Sequence, residues 1–131
     1  MPSLSITPLY AALAAFWFIA LSLRVIWLRN VERVGIGFGD NPRMARAVRV
    51  QGNAAEYLPF ALLLMLTAEL GHSAPGWLHA CGIALLSGRL LHALGLGRSA
   101  GRSAGRVLGT VLTFFSIITL AVLDLHLALN A

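Results

Sequence analysis

The sequence predicts an all-α integral membrane protein, a four-helix bundle, on three observations. Hydrophobic residues make up 58% of the 131 residues and charged residues only 11%, against roughly 25% charged residues in soluble domains. The apolar residues fall into four segments, each near the roughly 20 residues that a helix needs to cross a bilayer. The arginines concentrate in alternate loops, as they do in membrane proteins. This composition excludes both a soluble globular fold and a disordered chain.

The four predicted spans form one domain over residues 1–131, at about 7–28, 44–70, 77–96 and 106–129. The first span begins at Thr7-Pro8, because proline is tolerated in the first turn of a helix. A glycine-rich loop ending at Pro42 precedes the second span, whose first half is amphipathic and whose second half is apolar. A tight turn at 71–76 and a GRSA-GRSA repeat at 97–104 separate the remaining spans.

The charge pattern predicts the topology and excludes nucleic acid as a partner. The ten cationic residues are all arginines, against five acids, for a net charge of +5. The first and third loop regions carry most of them, so the positive-inside rule places these loops in the cytoplasm and both termini outside. No soluble basic face remains to dock a duplex. Arginine-only basicity with many Ala, Leu and Gly residues is typical of GC-rich bacterial genomes, so we expect a bacterial inner membrane.

Polar side chains collect at the cytoplasmic ends of the predicted helices, where antiparallel packing brings them together. In the second helix, polar positions share one arc of roughly 100°, and in the third an arginine and a histidine lie one turn apart. The resulting cavity, rich in arginine and with one buried acid, suits a molecule with two carboxylates and an ammonium group. Glutathione fits this description, and a nearby arginine would favour its thiolate. The polar positions on these two helices are Arg49, Asn53, Glu56, Tyr57, Arg89 and His92.

Simpler interpretations stay open for several of these residues. Arg49 and Glu56 could form a structural ion pair between helices. The arginines of the first loop could serve as topology signals and lipid-phosphate contacts. The GRSA repeat is more typical of a flexible basic loop than of a phosphate cradle, because no strand precedes it. The histidines and acids near the outer ends show no recurrent ligand spacing, so no metal site is expected.

The second helix carries a motif that resembles the signature of a known family. The string Arg49-x-Gln51-x-Asn53-x-x-Glu56-Tyr57-x-Pro59 is similar to the signature of the MAPEG family, the membrane-associated proteins in eicosanoid and glutathione metabolism. The four-span topology, the pair Arg89-x-x-His92 and, for the bacterial branch, the glycine-rich first loop also resemble this family. The resemblance covers nearly the whole chain, and the helix-two motif is its most specific part.

The resemblance implies a homotrimer that binds glutathione, as co-substrate, between neighbouring subunits near the cytoplasmic face. It implies that an arginine near the start of the fourth helix stabilises the thiolate, with Arg106 as the best match by position and Arg102 as its rival. Gln51 would support the site, and Arg29 would lie near it. The full implied glutathione-binding set is Arg29, Arg49, Gln51, Asn53, Glu56, Tyr57, Arg89 and His92.

Three functions are compatible with this sequence. The favoured one is a membrane glutathione transferase or peroxidase that acts on lipophilic electrophiles partitioning from the bilayer. The second is a non-catalytic scaffold with the same fold. The third is a small four-helix transporter with Glu56 as its coupling acid, although the surrounding arginines would repel a cationic drug. The partners expected are membrane lipid, a second and third copy of the chain, and a small apolar electrophile.

Overall fold

The computed structural model describes residues 3–98 and 103–131, and this part of the chain forms four helices and no strands. The helices are α1 (Ile6–Glu32), α2 (Pro42–Leu70), α3 (Pro75–Arg98) and α4 (Ala104–Leu129). Each helix encloses one of the four predicted spans. The predicted all-α four-helix bundle is therefore confirmed.

Helix boundaries follow the local signals of the sequence at two of the four N-termini. Asn41 caps α2, because its Oδ1 atom accepts hydrogen bonds from the backbone N–H groups of Arg43 and Met44 at 3.0 and 3.1 Å. Pro42 then occupies the first helical turn, where its missing N–H has no cost. Ser103 caps α4 in the same way, through its Oγ atom and the backbone N–H of Arg106 at 3.2 Å.

The N-terminus of α1 is capped by a side chain from another helix. The Glu69 carboxylate, at the end of α2, accepts hydrogen bonds from the backbone N–H groups of Ser5 and Ile6, each at 2.8 Å, and of Thr7 at 2.6 Å. These N–H groups have no partner within their own helix, and a negative charge is favourable at this end of the helix dipole. Glu69 therefore fixes the start of α1 against the end of α2.

Hydropathy separates α2 from the other helices. Within the described residues, α1, α3 and α4 are long and apolar enough to cross a membrane. Helix α2 does not reach that hydropathy, because its first half carries Arg43, Arg46, Arg49 and Glu56. Length and composition therefore support three membrane spans. The fourth span and the orientation of the termini stay predictions.

The packing places α2 and α3 at the centre and α1 and α4 at opposite corners. Helix α1 contacts α2 and α3, whereas α4 contacts α3 and α2, and the described parts of α1 and α4 do not meet. The interface between α3 and α4 is the most extensive. Accordingly, α3 is the most buried of the three apolar helices.

Glycines allow the backbones of α3 and α4 to approach closely. A Cβ atom on Gly109 would lie 2.4 Å from the carbonyl oxygen of Gly88 and 2.6 Å from the backbone N of His92. A Cβ atom on Gly95 would lie 2.5 Å from the backbone N of Arg106. Gly105 and Gly109 form a small-xxx-small pattern, which is typical of close helix contacts in membranes.

Substituting Gly109 by Ala is expected to destabilise the bundle by about 1–3 kcal/mol, because the new methyl group overlaps backbone atoms that cannot move aside. Gly76→Ala is the matched control, since a Cβ atom at Gly76 meets nothing within 4 Å. The measurement is unfolding of the detergent-solubilised protein in increasing SDS. Equal midpoints for the two variants would contradict the close approach of α3 and α4.

The outward surfaces of α1 and α4 are apolar. On α1, Phe16 is 75% exposed, and on α4, Ile118 is 62% and Val122 is 60% exposed. An isolated soluble protein does not leave such continuous apolar faces in water. These faces therefore contact lipid or other subunits.

Candidate functional site

The candidate site lies at the end of the bundle where α3 ends and α4 begins, beside the first half of α2. We call this region the polar end. The backbone of His92 on α3 lies beside Gly109 on α4, and Arg89 on α3 donates a hydrogen bond to Asn53 on α2. The structure therefore brings residues of three helices together, as the antiparallel arrangement predicts.

Arg89 is the buried centre of the polar end, with only 3% of its surface exposed. Its Nε atom donates to Thr113 Oγ1 on α4 at 3.0 Å, and its Nη1 atom donates to Asn53 Oδ1 on α2. Its guanidinium also lies 5.1 Å from the centre of the Tyr57 ring, a cation–π distance. Arg89 thus joins α2, α3 and α4 through one side chain.

No carboxylate of the described residues forms an ion pair with Arg89. Its partners are an amide, a hydroxyl and an aromatic ring, all of them uncharged. A buried charge without a counter-ion is costly in a protein interior and more so at membrane depth. The polar end therefore has excess positive charge, which favours the binding of an anion.

Arg49 and Glu56 form a forked ion pair on the exposed face of α2. Arg49 Nη1 donates to Glu56 Oε1 at 3.0 Å and Arg49 Nη2 to Glu56 Oε2 at 3.4 Å. The two side chains are 55% and 53% exposed. The expectation that Glu56 is buried is therefore wrong for the single chain. The ion pair also lies within α2 and does not join two helices.

Tyr57 and Phe114 connect the α2 face to a groove on α4. Their ring centres are 5.9 Å apart, and Phe114 lines a groove of about 460 Å³ that Arg106 also lines. The other lining residues are apolar except for one threonine: Val107, Thr110 and Val111. This groove places an arginine beside apolar side chains on the surface of α4.

Two residues of the implied set lie on the α1 side of the chain instead. Gln51 Nε2 is 3.5 Å from Ser22 Oγ on α1, which fits a bracing role. Arg29 Nη1 donates to the carbonyl oxygens of Val34 and Gly37 at 3.3 and 2.9 Å, so this guanidinium holds the first loop. The rival catalytic candidate, Arg102, lies outside the described residues.

Thr113 is the polar-end residue that the sequence analysis missed. It is fully buried, accepts from Arg89 and donates to the carbonyl oxygen of Gly109 at 2.8 Å. A lone threonine in an apolar helix gives no signal by itself. The available clue is its position one turn after Gly109, on the α4 face that packs against α3.

Replacing Thr113 by Val is expected to destabilise the protein by about 1–3 kcal/mol, because valine has the same shape but leaves the Nε–H of Arg89 without an acceptor. Thr110→Val is the matched control, since Thr110 Oγ1 donates to the carbonyl oxygen of Arg106 in its own helix at 3.0 Å. Thermal unfolding in detergent measures both. A control that loses as much stability as Thr113→Val would show that Thr113 does not support a buried charge.

The fold and this site define a class of protein: a four-helix membrane protein with an arginine-rich polar site at one end of the bundle. The model of the MAPEG family matches residues 7–125. The chain belongs to the MAPEG family, as its helix-two motif predicts.

Two relatives support this assignment. Both are described as "Inner membrane protein YecN", one from Escherichia coli strain K12 and one from Escherichia coli O6:H1. Each is 41% identical to this chain over 90 residues, which are 69% of this chain and 69% of the relative. Their name describes a location in the inner membrane, which agrees with a membrane protein, and it names no reaction.

Proposed function

We propose that this protein binds glutathione at the polar end and uses it as the thiol substrate of a transferase or peroxidase reaction. The observation that carries the proposal is the exposed Arg49–Glu56 pair beside the buried, uncompensated charge of Arg89. Membership of the MAPEG family supports glutathione as the ligand. The alternatives are a scaffold without catalysis and a transporter, and the structure adds no observation in favour of either.

The Arg49–Glu56 pair has the charges that an amino-acid group requires. One end of glutathione carries an ammonium group beside a carboxylate. These two charges can replace the ion pair between Arg49 and Glu56 with two ion pairs, one from the ligand to each side chain. The carboxylate would take the Arg49 fork, and the ammonium would take the Glu56 carboxylate. Each of the two side chains keeps a partner of opposite charge in this exchange, and the exposure of both makes them accessible to the ligand. The second carboxylate of glutathione would be attracted to the excess charge around Arg89.

Arg106 and the apolar groove would supply the chemistry. A positive charge near the thiol favours the thiolate, which is the nucleophile. In conjugation, the thiolate sulfur forms a bond to an electrophilic carbon, and the leaving group departs with the bonding electron pair. The groove lined by Val107, Val111 and Phe114 would admit an apolar electrophile from the bilayer.

A trimer would complete the site from two subunits. Gln51 and Arg29 lie on the α1 side of the chain, whereas Asn53 and Tyr57 face α3 and α4. One chain therefore directs these two groups toward different neighbours. A neighbouring subunit that presents its α1–α2 side to the α4 groove would join them, provided that Arg29 exchanges one loop carbonyl for the ligand.

Native mass spectrometry from a mild detergent, with glutathione added, tests this assembly. The expected spectrum contains trimers that carry glutathione, and monomers without it. The matched ligand is glutathione acetylated on its amine, which lacks the ammonium group and should be retained far less. Only monomers or dimers in the spectrum would contradict a site at subunit boundaries. Equal retention of both ligands would contradict the role of Glu56.

A further inference from the structure

A second polar pocket lies at the end of α1, where the helix enters the first loop. Its volume is about 490 Å³. None of the residues that line it is acidic, and two of them are arginines. The lining consists of Ile26, Arg29, Asn30, Arg33, Val34 and Gly35.

Arg29 gives this pocket a fixed wall. Its Nη1 atom donates to the carbonyl oxygens of Val34 and Gly37, which ties the guanidinium to the loop backbone. An arginine has five N–H donors, and these two bonds use only the hydrogens on Nη1. The groups on Nε and Nη2 keep their capacity to bind an anion.

Arg33 contributes the second charge from an unusual backbone conformation. It follows the last residue of α1 with φ of 55°, in the left-handed region. Helices commonly place glycine at this position, yet this chain has an exposed arginine there. The neighbouring acid, Glu32, is 3.9 Å from Arg43, so its charge is shared with an arginine outside the pocket.

Exposed apolar side chains occur in the pocket and in the loop that follows it. Ile26 lines the pocket on α1, a helix apolar enough to cross a membrane, and is 55% exposed. In the following loop, Ile36 is 94% and Phe38 is 49% exposed. A ligand that fits both features has an anionic head and a hydrocarbon tail.

We propose that this pocket binds the phosphate group of an anionic phospholipid, with the acyl chain along the Ile26 side of α1. Arginine is suited to phosphate because its planar fork matches two phosphate oxygens. With two arginines and no acid in the lining, a lipid with a net negative charge is preferred over a zwitterionic one. The inference rests on α1 and the first loop; it shares Arg29 with the proposed glutathione site, whereas Arg33 belongs to this pocket alone.

Native mass spectrometry of the full-length protein, with phosphatidylglycerol or phosphatidylcholine of identical acyl chains, tests this inference. For the wild type, with two arginines in the pocket, we expect phosphatidylglycerol to be retained about 25-fold more than phosphatidylcholine, and Arg33→Gln to reduce that preference to about fivefold, since each arginine near an anionic lipid contributes about a fivefold factor. Arg24→Gln is the matched control, because Arg24 is an exposed arginine on α1 that does not line the pocket. Unchanged thermal unfolding of both variants excludes a folding defect.

Several outcomes would overturn the proposal. Equal retention of the two lipids by the wild type would remove the preference for negative charge. An equal loss in Arg24→Gln would indicate a general effect of net charge instead of a site. Displacement of the lipid by inorganic phosphate alone would identify a free-phosphate site. A changed oligomeric state in Arg33→Gln with lipid retention unaltered would assign the pocket to an interface between copies of the chain.

Discussion

Exchanging the charges of Arg49 and Glu56 is expected to leave the protein folded and to abolish glutathione binding. In the double variant Arg49→Glu with Glu56→Arg, the two side chains can still pair along the exposed face of α2. Exposed ion pairs contribute only about 0–1 kcal/mol to stability, so the unfolding temperature should change little. The zwitterion of glutathione would then meet each charge in the wrong place.

The double variant distinguishes a role in ligand binding from a purely structural role of the ion pair. The single variants do not distinguish these two roles. Arg49→Gln and Glu56→Gln are each expected to weaken glutathione binding by about 2–5 kcal/mol, because each removes one charged partner of a ligand that would be buried at the subunit boundary. If the pair were only structural, the double variant would restore whatever the single variants lose. Calorimetric titration of the four proteins in detergent measures this, and restored binding in the double variant would contradict the proposed roles.

Replacing Arg106 by Ala is expected to preserve most glutathione binding and to lower the conjugation rate by about a hundredfold, the cost of removing one electrostatic partner of a reacting anion. Arginine has no accessible neutral form near neutral pH. Its role would therefore be to stabilise the thiolate rather than to remove its proton. The measurements are the ultraviolet absorbance of the bound thiolate and the rate with an aromatic electrophile, together with reduction of a lipid hydroperoxide.

The matched variants for this prediction are Arg106→Lys and Arg102→Ala. Arg106→Lys keeps the charge and should retain part of the thiolate signal. Should Arg102→Ala lose the thiolate and Arg106→Ala keep it, the role would belong to Arg102. A wild-type protein that binds glutathione without forming the thiolate would favour the scaffold function.

The helices were predictable because their signals are local. Apolar segments of spanning length, Pro42 after Asn41 and the serine before α4 depend on neighbours in the sequence, and the structure places the helices around the predicted spans. The capping of α1 by Glu69 was not predictable, since its partners lie more than sixty residues away in the chain. From its sequence position, Glu69 is one of the acids near the outer ends of the helices, without an indicated partner.

The sequence indicates which residues form the site better than it indicates where they lie in space. Periodicity placed Arg49, Asn53, Glu56 and Tyr57 on one arc of α2, but it could not show where α3 and α4 cover that arc. In the structure Asn53 is buried against Arg89, whereas Glu56 remains exposed. Burial at each position depends on how α3 and α4 pack against α2, which the sequence of α2 alone does not specify.

Calorimetric titration of the wild-type protein with glutathione, in a mild detergent that preserves its assembly, tests the central claim most directly. The account predicts saturable binding that disappears in the Arg49→Glu with Glu56→Arg exchange and persists in the Arg24→Gln control. No heat of binding with the wild type, in a sample shown to be folded and assembled, would contradict it.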